Sequence, residues 1–385
     1  MPPIDLETYT AFHRAPELPM REEKTSAVVA SRLRAIGYDV TERVGRYADP
    51  NATCYGVVAV MRNGSGPTVL LRTDMDGLPV TEETGLPYAS ENPGVMHACG
   101  HDLHMTAFLT SANILRERKS EWSGTLVLVG QPAEEVVHGA EAMLRDGLYE
   151  RFPRPDFAIA IHDWPPVAAG QVAMRAGYVM ANGDSLDIVV RGVSGHGASP
   201  QSTKDPVVIA SQIVTALQTI VSRETSPLDP AIITVGSIHG GTKRNIIPDE
   251  VRLALTVRTY KPEVRERVLD AISRIASGIA AAADAPSPVV TYIPEESTPA
   301  TYNDPELIAR LSRVVGNVVD TDPVMVSEDF SRFSLDGAIP SALMLVGAGS
   351  PHSLHSSRFA PSPVEKVLET AVNAEVSAVL ELLRR

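Results

Sequence analysis

The chain has 385 residues, 44% of them hydrophobic and only 5% aromatic, and its formal net charge is −13. This length suits two domains, whose cores must be built mainly from aliphatic side chains. The negative charge argues against nucleic acid and against anionic membrane surfaces as partners. The N-terminus shows no secretory signal and no apolar run approaches a membrane span, so we expect a cytoplasmic protein without a membrane partner.

The first part of the chain alternates helical stretches with short apolar runs. The spacing of the apolar residues predicts helices over 21–36, 103–115 and 140–145. Apolar runs predict strands over 57–60, 68–71, 125–129 and 157–161, with a further strand near the end over 342–346. Because these runs are continuous, we expect strands buried on both faces of a parallel or mixed sheet, and therefore an α/β fold.

The middle of the chain follows a different pattern. Strands with alternating polar and apolar residues are predicted over 185–191, 232–238 and 251–258, and helices over 205–221 and 262–283. This β-α-β-β-α order indicates a small α+β domain with one open sheet face, inserted between hinges at 177–183 and 285–293. We expect a main domain of residues 1–181 and 293–385 and an inserted domain of residues 182–292.

The run Met96–Met105 contains three histidines, a cysteine and an aspartate. Imidazole, thiolate and carboxylate are the side chains that bind divalent transition metals. Cys99 and His101 are near neighbours in a glycine-containing loop, so both can reach one ion. Glu135, His162 and a late histidine each follow a predicted strand, and the carboxyl ends of parallel strands meet at one edge of a sheet. The sequence therefore predicts a metal site at that edge.

The adjacent carboxylates of Glu134 and Glu135 suggest divided labour, in which one ligates metal and the other acts as a base. Asp74 and Asp102 are interpreted as partners that fix the orientation of ligand imidazoles. Three further residues could share that task or be purely structural: Asp76, His97 and His104. His196 lies in a turn of the inserted domain, where it could donate a hydrogen bond to an oxyanion.

Several motifs occur in one order over nearly the whole chain. They are Phe12–Leu18, Arg72–Pro79, Met96–His104, Gln131–Glu135, His138–Leu144, Gly195–Pro200, Asn245–Pro248, Ser327–Phe330 and Leu354–Ser356. With this set the chain resembles the amidohydrolase branch of the dinuclear metallopeptidase–deacylase superfamily. That branch includes hippurate hydrolase, N-acyl-amino-acid deacylases and plant indole-acetyl-amino-acid hydrolases.

The resemblance implies a metallopeptidase-like catalytic domain with a mixed, mostly parallel sheet and an inserted ferredoxin-like domain that mediates dimerisation or higher homo-oligomers. It implies two divalent ions per subunit, with the ligands Cys99, His101, Glu135, His162 and His355. By ligand chemistry, a thiolate favours Zn or Co, and mixed nitrogen and oxygen ligation leaves Mn or Ni open. The general base would be Glu134. The oxyanion donor, from the partner subunit, would be His196, and Asn245 and Arg258 would lie near the substrate.

The expected reaction is hydrolysis of the amide bond of aroyl or acetyl amino acids. An alternative is a dipeptidase or aminopeptidase on the same fold. A non-catalytic metal-binding scaffold is another alternative, although it would have no need of the base Glu134. A third is thiol catalysis by Cys99, which would survive chelation, whereas a metal site would not.

Overall fold

The computed structural model describes residues 5–335 and 337–385. In chain order its strands are β1 Asp39–Glu42, β2 Val57–Asn63, β3 Thr68–Asp74, β4 Gly124–Gln131, β5 Phe157–Trp164, β6 Val172–Ala173, β7 Gly177–Met180, β8 Gly183–Arg191, β9 Gly195–His196, β10 Ala231–Gly240, β11 Ile246–Ile247, β12 Glu250–Thr259, β13 Val289–Thr298, β14 Thr301–Asn303, β15 Val318–Val319 and β16 Ser341–Gly347. Its α-helices are α1 Leu6–Arg14, α2 Glu23–Ile36, α3 His101–Glu117, α4 Gly139–Arg145, α5 Leu148–Arg151, α6 Pro206–Thr219, α7 Pro262–Ala282, α8 Pro305–Leu311 and α9 Val364–Leu382.

The boundaries of two predicted helices have local causes. Helix α2 ends at Gly37, which adopts the left-handed conformation with φ of 108° and donates to two carbonyls of the last turn. Helix α3 begins before the predicted residue 103, because left-handed Gly100 directly precedes it with φ of 76°. His101 and Asp102 therefore lie in the first helical turn, and not in the loop where the sequence analysis placed His101.

Among the described residues, eight strands form the sheet β1-β2-β4-β3-β5-β16-β6-β15. Strand β3 is parallel to β4 and β5, and β5 is parallel to β16, whereas β2 and β6 join the sheet antiparallel to β4 and β16. Helices α1, α2, α3 and α9 share its main hydrophobic core. The predicted α/β fold with a mixed, mostly parallel sheet is confirmed.

A second sheet forms from strands of the middle segment. In the described chain, β10, β12, β8 and β13 are neighbours in that order, and all three pairs are antiparallel. Helices α6 and α7 bury their apolar faces in the core of this sheet. Alternate residues of β12 are exposed, so its other face is open. The order β-α-β-β-α-β with this arrangement is ferredoxin-like, as predicted for the inserted domain.

The described chain divides into two compact units. One comprises the described residues up to Val179 with Thr301–Pro323 and Asp329–Arg385, and the other comprises Met180–Ala300 with Val324–Glu328. Parts of both expected hinges form strands instead: β7 pairs with β14, and β13 pairs with β8. The run Val-Val-Thr-Tyr-Ile at the start of β13 favours a strand because its residues are β-branched or aromatic.

One helical stretch, Pro206–Glu224, is long and apolar enough to cross a membrane by length and composition alone. No such run was expected from the sequence. Ile209, Ile213 and Leu217 of this stretch are buried in the core of the second unit. Burial of that face is typical of a core helix.

The carboxyl edge of the main sheet gathers polar side chains, as predicted. Asp74 and Gln131 end β3 and β4 and are paired in register. His162 and Asp163 lie within the last residues of β5, which runs on to Trp164. Because β3, β4 and β5 are parallel, these side chains emerge at one edge of the sheet.

Candidate metal centre

His101 lies among carboxylates at distances that suit a shared ion. Its Nε2 is 3.7 Å from Asp74 Oδ2, 3.8 Å from Glu134 Oε2 and 3.9 Å from Glu135 Oε1. Neither ring nitrogen of this fully buried imidazole has a hydrogen-bond partner among the described residues. Two ligands held about 2.1 Å from one ion in a tetrahedral arrangement lie about 3.4 Å apart. The distances between His101 and these carboxylates therefore suit side chains that share a divalent metal ion, and they are too long for direct hydrogen bonds.

The other expected ligands continue this cluster. Cys99 Sγ lies 3.6 Å from His162 Nε2, and His355 Nε2 lies 3.3 Å from Glu135 Oε2. The possible metal groups overlap, because Cys99 occurs with His101 and His162 in one and with Glu135 and His355 in another. The fold thus brings the five expected ligands together from four separate segments of the chain. Overlapping groups of this kind suit two neighbouring ions.

The orientation of His162 is fixed by its own chain. Its Nδ1 donates a hydrogen bond to the backbone carbonyl of Asp163 at 2.7 Å. That bond places the proton on Nδ1, so Nε2 carries the lone pair on the side of Cys99. This is the tautomer that a metal-ligating imidazole requires.

The local electrostatics favour a cation. Burial, opposed by His101 and reinforced by Asp76, raises the pKa of Glu135 to about 7. Burial and the charges of Glu135 and Glu134 raise the pKa of the Cys99 thiol well above its usual value. Buried acids crowded in this way are unfavourable unless positive charge compensates them. A divalent ion supplies that compensation.

Asp76 accepts hydrogen bonds from the backbone amides of Glu134 and Glu135. Its Oδ1 accepts from the amide of Glu134 at 3.1 Å and its Oδ2 accepts from the amide of Glu135 at 3.0 Å. Its Oδ1 is also 3.5 Å from His101 Nδ1. The role of Asp76 was left open from the sequence, where its only signal is the spacing Asp74-Met-Asp76.

Asp74 joins a buried network beneath the cluster. It accepts from Arg72 Nη1 at 2.7 Å and contacts His104 Nδ1 at 2.7 Å. Arg72 Nε donates to Gln131, and Gln131 donates to Asp329. The imidazole closest to Asp74 is thus that of His104, whereas the expected ligand His101 is farther away.

Asp163 was given no role from the sequence. Its amide donates to His104 Nε2 at 2.9 Å, and its carboxylate lies against Gly100. A Cβ added to Gly100 would lie 2.4 Å from Asp163 Oδ1. Glycine is therefore required between Cys99 and His101, both by its positive φ and by this close approach.

Asp102 has a different partner from the one expected. Its Oδ2 lies 2.6 Å from Nδ1 of His13, and Nε2 of His13 lies 3.1 Å from Glu82. Its other oxygen accepts from the amide of Leu103 at 2.9 Å. Asp102 therefore orients an imidazole of helix α1, outside the expected ligand set.

In the second unit, strand pairing brings His196 and Asn245 together. Strand β9 pairs with β11, and the amide of Gly197 donates to the carbonyl of Asn245 at 2.9 Å. His196 Nδ1 accepts from the amide of Ala198 at 3.0 Å. The proton of the neutral imidazole then resides on Nε2, which has no partner among the described residues. His196 is exposed, so this N–H is available as a donor.

Arg258 lies on β12 of the same unit. Its Nη1 donates to Ser327 Oγ at 2.5 Å. No carboxylate within the described ranges lies at ion-pair distance, and burial lowers the pKa of its guanidinium. A partly buried arginine without an acidic partner is suited to an anionic group of a ligand.

Comparisons with known proteins agree with this geometry. Residues 70–381 match the model of peptidase family M20/M25/M40. The chain is 39% identical to thermostable carboxypeptidase 1 of Saccharolobus solfataricus, in an alignment that covers 90% of this chain and 88% of the relative. It is 36% identical to N-acetyl-L-cysteine deacetylase of Bacillus subtilis (90% and 81%) and 37% identical to hippurate hydrolase of Campylobacter jejuni (84% and 82%).

A similar solved structure is that of a dinuclear metal-binding M20 peptidase of Bacillus subtilis. It superposes with a TM-score of 0.82 at 27% identity and covers 98% of both chains.

Proposed function

Because the chain belongs to peptidase family M20/M25/M40, we propose that it hydrolyses the amide bond of N-acyl amino acids and releases a carboxylic acid and a free amino acid. The predicted resemblance to the amidohydrolase branch is confirmed, and so is the prediction of an enzyme that acts on amides. The relatives named as deacetylase and hippurate hydrolase support N-acyl amino acids as the substrate class.

The observation that carries the proposal is the position of Glu134 beside the ligand cluster. Its Oε2 lies 3.8 Å from His101 Nε2, and its amide is held by Asp76. The ligands would be Cys99, His101, Glu135, His162 and His355, for two divalent ions among Mn, Zn, Co and Ni. When bound, such ions activate water and polarise a carbonyl as Lewis acids.

In this proposal Glu134 accepts the proton of the attacking water on a carboxylate oxygen. As the C–N bond of the substrate breaks, the same oxygen delivers that proton to the leaving amine. The water oxygen remains on the acyl carbon, so the products are a carboxylic acid and an amine. The scaffold alternative does not explain why a second glutamate is fixed beside the ligand Glu135.

His196 is the proposed oxyanion donor. The hydrogen bond from Ala198 leaves the proton on Nε2, so the neutral imidazole can donate to a developing negative charge. Following the resemblance, we assign this donor to the partner subunit of a homodimer or higher oligomer, with residues 182–292 as the lid and dimerisation domain. Residues 1–181 and 293–385 would form the catalytic domain of a cytoplasmic enzyme.

Arg258 and Asn245 are proposed to bind the carboxylate of the substrate. The absence of an acidic partner for Arg258 among the described residues supports an anionic ligand group. Asn245 is exposed and directly precedes β11, which pairs with the strand β9 of His196, so its side-chain amide lies close to the proposed oxyanion donor.

The test is the variant Glu134→Ala, assayed with benzoyl- and acetyl-amino acids. Loss of a general base lowers kcat about a hundred- to ten-thousandfold, while the metal content measured by mass spectrometry stays that of the parent enzyme. Glu141→Ala is the matched control, since Glu141 lies on helix α4 and pairs with Arg332, which is not an expected ligand. Substantial turnover by metal-loaded Glu134→Ala would refute the proposal.

A carboxypeptidase is the second candidate, because the relative with 39% identity carries that name. Both activities leave a free amino acid, so the acyl side of the bond distinguishes them. A panel of benzoyl-, acetyl- and indole-acetyl-amino acids is assayed beside dipeptides and longer peptides. Higher kcat/KM for the peptides would replace the proposed substrate class with peptides.

A further inference from the structure

Glu22 directly precedes helix α2, but its side chain does not cap that helix. The side chain is fully buried and turns towards the loop that follows β4. Its Oε1 accepts from the amide of Ala133 at 2.8 Å and from the amide of Met20 at 2.9 Å. One carboxylate oxygen thus joins two segments of the chain that are distant in sequence.

Both of these amides belong to residues in an unusual conformation. Met20 has φ of 63° and Ala133 has φ of 52°, although neither is glycine. A left-handed backbone is unfavourable for residues with a Cβ and persists where surrounding contacts hold it. The two hydrogen bonds to Glu22 are contacts of this kind.

The hydrogen bond from Ala133 is the first of three that consecutive backbone amides donate to buried carboxylates. The amide of Ala133 binds Glu22, and the next two amides bind the carboxylate of Asp76. Three consecutive N–H groups are therefore held by two buried carboxylates. The left-handed turn at Ala133 sets the direction in which Glu134 and Glu135 leave the backbone.

Packing alone does not explain a carboxylate at this position. Ala133 belongs to a small apolar cluster with Tyr47 and Cys54, where an aliphatic side chain would be less costly to bury than an acid. Burial and the charge of Asp76 raise the pKa of Glu22 to about 8. What the site gains from Glu22 is an acceptor oxygen.

We infer that Glu22 is a positioning residue for the proposed reaction, which holds the backbone at Ala133 so that Glu134 and Glu135 face the ligand cluster. The inference rests on the roles proposed for these two glutamates. It assigns to Glu22 no contact with substrate or metal.

The test compares Glu22→Gln with Glu22→Ala. Glutamine has the same shape and keeps an acceptor oxygen, so we expect kcat near that of the parent enzyme. Alanine removes the acceptor, and a misplaced catalytic group costs about a hundredfold in kcat, with little change in KM. Hydrogen exchange of the metal-free protein provides a readout independent of activity: peptides that contain residues 133–135 should exchange faster in the alanine variant alone.

Glu375→Ala controls for the loss of a buried carboxylate. Glu375 is fully buried on helix α9, and its Oε2 accepts a hydrogen bond from Ser111 Oγ of helix α3 at 2.6 Å. Removal of this carboxylate should destabilise the protein but leave the hydrogen bonds of the loop after β4 in place. Neither kcat nor the hydrogen exchange of residues 133–135 should therefore change. The inference would be overturned by an equal loss of kcat in Glu22→Gln and Glu22→Ala, or by unchanged hydrogen exchange of residues 133–135 in Glu22→Ala. Failure of the proposed function would instead appear as activity in Glu134→Ala.

Discussion

The carboxylate of Asp102 lies 2.6 Å from Nδ1 of His13. This contact joins the first turn of helix α3, which carries the expected ligand His101, to helix α1. Glu82 closes the other side of the imidazole at 3.1 Å. The start of the ligand-bearing helix is thus fixed by a buried histidine between two carboxylates.

The first prediction concerns the pH dependence of stability. Burial lowers the pKa of His13, but its bonds to Asp102 and Glu82 dominate and raise it from 6.5 to about 10. The pKa of His13 is higher in the folded protein than in the unfolded chain. Protonated His13 therefore stabilises the fold fully below pH 6.5, and this contribution is lost as the pH rises through about 10. The unfolding free energy of the metal-free protein should fall by about 1.4 kcal/mol per pH unit in this window, beyond the slope from other groups.

Urea titrations of the parent protein and of His13→Asn across that window measure this contribution. The variant should be less stable near the lower limit and should lose less stability as pH rises. Parallel curves for the two proteins would show that His13 is uncharged in the folded state.

Much of the site was predictable because its signals are local. Continuous apolar runs predict β3, β4 and β5, and parallel strands expose their carboxyl ends at one edge. The chemistry of Cys99, His101 and Glu135 could therefore be assigned to one cluster before the structure was known. Residues next to one another, such as Glu134 and Glu135, also indicated a division of roles.

The supporting contacts were not predictable for a physical reason. His13 and Asp102 are 89 residues apart, and Glu22 and Ala133 are 111 apart. A buried carboxylate finds its donors through tertiary packing, which leaves no periodicity in the sequence. Glycine gave a partial signal, because Gly100 between two expected ligands indicated a loop but not the carboxylate of Asp163 that lies against it.

The second prediction follows from that close approach. Gly100→Ala should destabilise the protein by more than the cost of about 1–2 kcal/mol that a left-handed alanine carries, because its Cβ would lie 2.4 Å from Asp163 Oδ1. Displacement of this carboxylate should also lower metal content. Gly94→Ala is a closely matched control, since Gly94 has φ of 78° and nothing within 4 Å of an added Cβ. Equal unfolding free energies for the two variants would contradict the steric role of Asp163.

The third prediction separates metal ligation from thiol catalysis. If Cys99 is a ligand, a chelator should abolish activity, and added Mn²⁺, Zn²⁺ or Co²⁺ should restore it. An ion at a hundred times its Kd should raise the unfolding free energy by about 2.7 kcal/mol. Cys99→Ala should lose most of this gain, because the thiolate joins His101 and His162 in one group and Glu135 and His355 in another.

The second cysteine supplies the control for this experiment. Cys54 is also a buried cysteine that forms no disulfide, but it lies in an apolar cluster with Tyr47 and Ala133. Cys54→Ala should lose some stability through the cavity it leaves, yet keep the full metal-dependent gain. A nucleophilic thiol predicts the opposite behaviour for Cys99: turnover would persist under chelation, and Cys99→Ala would be inactive while its metal-dependent stability was unchanged. The two measurements together, activity under chelation and stability against ion concentration, therefore decide which role Cys99 has.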